Sequence, residues 1–150
     1  MSSQVLLVQG SSIRMTTNAQ TAIPPTAPTY ATIDCLGKSL TMQGGSSTEV
    51  DVTTFCSTAK EFRLGLGDSG TLTLEGHWKQ GHEAHTALRT ANEDKLSRYF
   101  EITFSDYSIF KCIGFVQQRS FSMAVDGVVS ATYNIRLTGR TMEDDPSGNP

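Results

Sequence analysis

The sequence predicts a mainly β fold, an antiparallel β-sandwich or barrel with one flanking α-helix, and three observations carry that prediction. Apolar and polar residues alternate with period two through most of the chain. Helical periodicity occurs once, over "GHEAHTALRTANEDK". Gly and Pro clusters separate the alternating stretches, as turns and connections do in antiparallel sheets.

Taken in order, "QVLLVQGSSIRMTT" reads as an opening hairpin about Gly10-Ser11. Pro24, Pro25 and Pro28 follow; they lack amide donors and fix φ, so residues up to 30 form an extended connection and not a central strand. "YATIDCLGKSLTM" and "STEVDVTT" read as strand segments parted by Gly44-Gly45. In the second, Val50 and Val52 point one way, Glu49, Asp51 and Thr53 the other. "GTLTLEGHW" sets Leu72 and Leu74 against Thr71, Thr73 and Glu75. The helix carries Ala84, Ala87, Leu88 and Ala91 on a narrow stripe of mostly small residues, suited to lying close on a sheet. "RYFEITF" alternates through Phe100, Ile102 and Phe104, while "SIFKCIGFVQQ" is apolar on both faces and calls for cover on both. "GVVSATYNIRLTGR" places Val129, Ala131, Tyr133, Ile135 and Leu137 on one face, Ser130, Thr132, Asn134 and Arg136 on the other. The acidic, Pro- and Gly-containing residues 141–150 read as a mobile tail.

At 150 residues, 37% hydrophobic and 18% charged, the chain reads as a single domain over 1–150. A net charge of -3 supplies no general attraction for a polyanion. Cys35, Cys56 and Cys112 show no C-x-x-C spacing, so neither a disulfide framework nor a zinc knuckle is indicated, and each reads as a small core residue. The N-terminus holds only the short apolar run Val5–Val8 without a basic stretch before it, which fits neither a signal peptide nor a membrane span.

Three motifs suggest chemistry and fail on context. "GLGDSG" at 65–70 has the G-x-G-x-x-G spacing of a phosphate loop, but a strand follows it where a helix N-terminus would have to hold the phosphates. Gly67-Asp68-Ser69-Gly70 resembles the setting of a nucleophilic serine, yet His77, His82 and His85 crowd into a strand end and an early helix with nothing to bring them to Ser69. "HEAHT" spaces its histidines at i and i+3, not the i and i+4 of a zinc helix, and offers no third ligand. Glu83, His82 and His85 read as a solvated first helical turn, and Trp78, Tyr99, Phe100, Phe104, Phe110 and Phe115 as core. No catalytic residue, metal site or cofactor emerges.

One stretch asks for a different explanation. "FCSTAKEFRLGLGDSG", between Thr54 and Thr71, is longer than a connection in a compact domain needs and mixes Phe55, Phe62, Leu64 and Leu66 with Lys60, Glu61 and Arg63. Such a loop lowers solubility unless it docks on another surface, and that surface could belong to a second copy.

These residues carry a resemblance. "STEVDVTTFCSTAKEFRLGLGDSGTLTLEGHW", a helix, "RYFEITFSD", "KCIGFVQQRSFSM" and "SATYNIRLTGR" together resemble the major tail tube protein of long-tailed, noncontractile bacteriophages, from about Thr32 to Arg140. The resemblance implies a β-sandwich plus one helix, six copies per ring, and rings stacked into a hollow virion tube that conducts double-stranded DNA to the host without binding it specifically. It implies synthesis in the host cytoplasm, and as partners the chain itself, a tape-measure protein, a tail terminator and a distal tail protein, with no membrane. The C-terminal immunoglobulin-like domain of some relatives is not expected. Tube subunits of contractile tails, tailocins and type VI secretion systems share the fold and form the alternative.

On that resemblance, residues 54 to 70 become the connection between rings, through Thr54, Phe55, Ser57, Lys60, Glu61, Phe62, Arg63, Leu64, Gly65, Leu66 and Asp68. A wet, mildly acidic lumen would let DNA slide. Glu49 and Asp51 lead the candidates for its lining, followed by Gln117, Arg119, Ser130, Thr132 and Asn134.

Overall fold

A computed structural model describes residues 11–33, 37–125 and 127–144. Among them are nine strands and one helix: β1 (Ser12–Thr16), β2 (Tyr30–Thr32), β3 (Gly37–Gln43), β4 (Glu49–Asp51), β5 (Phe62–Leu64), β6 (Thr71–His77), α1 (Glu83–Asp94), β7 (Arg98–Thr103), β8 (Ile109–Ser122) and β9 (Ser130–Asp144). Seven strands form one antiparallel sheet in the order β2-β1-β7-β8-β9-β6-β3, curled into a half-barrel with the helix packed on one face, while β4 and β5 pair only with each other. The opening hairpin predicted about Gly10 lies half outside the described residues; β1 itself pairs with β2 and β7.

Long-range pairing corrects one strand. Residues 30–42 read as a continuous segment, but β2 lies at one edge of the sheet and β3 at the other. Alternation cannot reveal this, because both halves alternate and neither encodes its neighbour.

The core forms where predicted. Leu72 and Leu74 of β6, Phe100 and Ile102 of β7, and Ala131, Tyr133, Ile135 and Leu137 of β9 point inward against Ala84, Ala87, Leu88 and Ala91 of α1. The helix stripe of small residues brings its axis close to the sheet, and full burial of a side chain such as Leu88 contributes roughly 2 kcal/mol. His82 caps the helix by accepting from the Ala84 amide at 3.1 Å, and Lys95 closes it in the left-handed conformation. Trp78 and Phe104 pack on the core from its margin; Phe115, expected inside, is partly exposed on the opposite face. Cys112 is buried, its thiol pushed up to about 12 by desolvation, whereas Cys56 is exposed in a segment that packs on no core; Cys35 lies outside the described residues.

The last two strands contain the main departures from simple alternation. A bulge at Gln117 separates the pair Val116–Ile135 from the pair Gln118–Asn134, so the facing of every later residue in β8 shifts by one. Beyond the C-terminal end of the predicted strand, Thr141–Asp144 extend β9 against Ile109–Lys111, with Lys111 Nζ 2.5 Å from Asp144. Those residues are therefore strand and not tail, since Met142, Glu143 and Asp144 each find a ladder partner; residues 145–150 lie outside the description.

His85 corrects the solvated reading of the first helical turn. It is fully buried, with Nδ1 3.1 Å from the Tyr133 hydroxyl and its ring edge-on to Trp78 at 4.6 Å. Burial holds its imidazole below the ordinary histidine range, and Arg119, Arg89 and His82 push in the same direction. The folded chain thus keeps His85 neutral where the unfolded chain would protonate it. Stability is full above the unfolded value and falls as pH drops below it, until the depressed folded value is reached. The urea midpoint should decline between about pH 7.5 and 5.5, and decline less in His85→Gln; equal slopes in the two proteins would remove His85 as the cause.

Candidate assembly surfaces

The stretch beginning at Thr48 forms an arm. β4 and β5 pair as Glu49 with Leu64, Val50 with Arg63 and Asp51 with Phe62, and the ladder is prolonged by Val52 N–H to Glu61 O at 2.9 Å and Gly65 N–H to Thr48 O at 2.6 Å. The region read as a loop over 54–70 is thus the outer turn and return strand of a hairpin, because β-branched Val50 and Val52 find partners in the "EFRL" segment. Cross-strand pairs share a face, so Glu49 and Asp51 stand with Phe62 and Leu64, and Val50 and Val52 stand with Glu61 and Arg63.

Polar side chains fold the end of the arm onto itself. Asp51 accepts from the Thr53 amide at 2.9 Å, the Thr53 hydroxyl accepts from the Glu61 amide at 2.9 Å, and Ser57 donates to Glu61 Oε2 at 2.8 Å. The Thr53 bonds hold the Asp51 carboxyl below the usual carboxylate range. No apolar side chain takes part. From Thr48 to Asp68 no residue is buried: Phe55 is 110% exposed, Leu66 is 96% exposed, and Val50, Phe62 and Leu64 are also open to solvent. Lys60 and Arg63 flank these apolar groups.

The arm is fixed at its root. Gly70, with φ of +96°, sits where a Cβ would lie 2.0 Å from the Gln43 carbonyl oxygen, so the chain can pass β3 only without a side chain. Asp68 accepts from the Gly70 amide at 2.9 Å and from Arg136 at 2.6 Å; the amide first and the guanidinium second keep its carboxyl low. Ser69 donates to the Gly139 carbonyl, and His77 lies at the far end of β6. The glycines at 65–70 thus shape a root, and the residues expected of a triad stand apart.

A second surface covers the sheet on the side away from the helix. Ser130, Thr132 and Asn134 of β9 lie there beside Thr71, Thr73 and Glu75 of β6, and Ser39, Thr41 and Gln43 of β3. Asn134 donates to Gln118 at 3.2 Å, and Ser120 to the Thr132 carbonyl at 3.4 Å. Of these residues only Glu75 carries charge, and neighbouring Arg136 is engaged by Asp68. Strand alternation could have identified the contributions of β3 and β6; Gln118 is hidden by the bulge.

The predicted lining does not come together as one surface. Glu49 and Asp51 are on the arm, off the seven-stranded sheet, because β4 pairs with β5 and not with the body. Arg119 is on the helix side, its guanidinium 5.4 Å from the Trp78 ring, because the bulge reverses its facing; Gln117 is the bulge residue itself. Ser130, Thr132 and Asn134 remain.

A cleft of about 520 Å³ lies between the Pro-containing segment and the ends of β8 and β9, lined by Ile23, Ser97, Ile113, Phe115, Arg140 and Met142 among others. It juxtaposes no acid and base. Among the described residues no group of three His, Cys, Asp or Glu side chains could hold a metal, and no helix is long and apolar enough to cross a membrane.

A family model described as "Phage tail tube, TTP, lambda-like" matches residues 6–110. Among solved structures, a chain in the virion of a native gene transfer agent particle is similar at 15% identity and a TM-score of 0.66, with 93% of this chain and 98% of that one covered. The SPP1 tail tube is similar at 15% identity and a TM-score of 0.63, covering 94% and 80% respectively. A chain of an extracellular contractile injection system's sheath/tube terminator is similar at 10% identity and a TM-score of 0.61, covering 95% and 98%. No curated protein sequence matches.

Proposed function

Because the chain belongs to the lambda-like phage tail tube family, and is a structural component of a phage-like tail, we propose that six copies close into a ring and that rings stack into a hollow tube conducting DNA. The observation that supports this most is the arm, which leaves Phe55, Leu64 and Leu66 largely open to solvent and Phe62 about half so. An edge strand at each side of an open sheet gives ring closure its pairing sites. The tube ends would meet a terminator and a distal tail protein, and a tape-measure protein would occupy the lumen before DNA does. The chain itself performs no chemistry.

In this reading the lumen wall is the hydroxyl- and amide-bearing face centred on Thr73, Thr132 and Asn134, more neutral than acidic. DNA affinity comes mainly from Lys and Arg neutralising phosphates, so a wall of Ser, Thr and Asn holds a passing duplex weakly. Particles built with Thr132→Lys subunits should carry hollow tubes of normal length under negative-stain microscopy but deliver their genome less efficiently. Unchanged delivery would remove the lumen from this face; a wild-type chain that forms no ring-stacked tubes on its natural initiating complex would overturn the whole reading. The alternative, a tube inside a contractile sheath, draws on the fold it shares with the injection-system chain, and a sheath around purified particles would decide for it.

A further inference from the structure

The strand register places two exposed apolar surfaces at opposite poles of the molecule. The arm leaves the body where Thr71 pairs with Arg136 and Gln43. At the other end of β6, His77 pairs with Ser130, which pairs with Ser122, and there the end of β8 exposes Phe121 and the connection to β9 exposes Met123 and Val128. The seven residues of β6 separate the poles by roughly 20 Å. Nothing in the sequence reading marked this second surface.

We propose that the arm of one copy docks on the β8–β9 pole of a copy in the next ring, an inference that rests on the stacking read above and names its receiving surface. Two different patches at opposite ends of one chain meet when identical copies stack in the same orientation, a head-to-tail contact that repeats without limit. Their chemistry is complementary. The arm face with Phe62 and Leu64 also bears Glu49 and Asp51. The receiving pole sets Phe121 against Trp78 at 5.0 Å and holds Arg119 over the same indole, with its Nε and Nη1 buried and without hydrogen-bond partners. Exposed Lys79 follows Trp78 in sequence. An acidic and apolar face thus meets a basic and aromatic one, the arm carboxylates facing the positive charge of Lys79 and Arg119.

Exposed Cys56 on the arm provides a native reporter. Full-length Val128→Cys protein, placed under tube-forming conditions and treated with a short bismaleimide, should give a ladder of multimers above the wild-type background. That ladder should be lost when Cys56→Ser is added. A ladder no stronger than that of Glu93→Cys, on the exposed side of α1, would overturn the proposed receiving surface. Phe121→Asp supplies a second reading: folded by circular dichroism, it should stop tube growth, and normal tubes would count against the proposal. Failure here while Phe62→Asp still blocks tubes removes only the receiving surface; tubes from Phe62→Asp remove the stacking reading beneath it.

Discussion

Phe62→Asp should abolish tube growth and leave the monomer as stable as the wild type. The side chain is about half exposed on a hairpin that packs on no core, so its loss opens no cavity and the melting temperature should hold. In the stacking read above, the new carboxylate would stand beside Glu49 and Asp51 in place of the ring that fills the apolar part of the contact, one acidic charge more than Lys79 and Arg119 can pair. An unpaired buried charge costs on the order of 3 kcal/mol or more, over about a hundredfold in each contact's equilibrium constant, and every ring repeats it. Arg63→Glu, on the other face of the hairpin, should act in the same direction with a smaller effect, since a rim charge is partly screened. Light scattering and negative-stain microscopy at matched concentration would read the result; tubes of normal number and length from Phe62→Asp would sink the arm as the stacking element.

The largest effect on stability is expected at Gly70. Gly70→Val must hold a β-branched residue at φ of +96° and place its Cβ 2.0 Å from the Gln43 carbonyl oxygen and 2.8 Å from Gly45 N. All of these contacts are backbone, so no side-chain rotation relieves them. Displacing β3 there would also disturb the bond from Leu137 N–H to the Gly70 carbonyl, 3.0 Å long. We expect a loss of about 3 kcal/mol or more, a fall of roughly 10 °C in melting temperature, measured by calorimetry. Gly81→Ala is the contrast: it has the same φ but nothing within 4 Å of the added Cβ, so only the left-handed penalty of about 1–2 kcal/mol applies. Equal losses at the two positions would show that crowding against β3 is not what selects glycine at 70.

The comparison of sequence and structure follows how local each signal is. β6, β7 and α1 were legible because their periodicity is carried by neighbours in sequence: Leu72 and Leu74, Phe100 and Ile102, Ala84 through Ala91. The split between β2 and β3 was not, because only distant pairing partners distinguish one strand from two at opposite edges. Gln117 illustrates a similar limit: a single bulged residue leaves composition unchanged yet turns Arg119 from the polar face to Trp78. His85 looked solvated beside Glu83 until Tyr133 supplied a partner from a strand 48 positions away. The composition of residues 54–70 reads as a docking segment, while the hairpin depends on the pairing of Val50 with Arg63, across a turn too long for simple turn signatures.

The bonds among Asp51, Thr53, Ser57 and Glu61, with Gly65 closing on Thr48, have a consequence for how such proteins diversify. A projection that draws its shape from its own polar groups behaves as a module. Its outward side chains can be exchanged, or the whole segment transplanted between related chains, without repacking the scaffold that carries it. If the arm joins successive rings as proposed, compatibility between neighbours and the architecture of the sheet would be free to evolve at different rates.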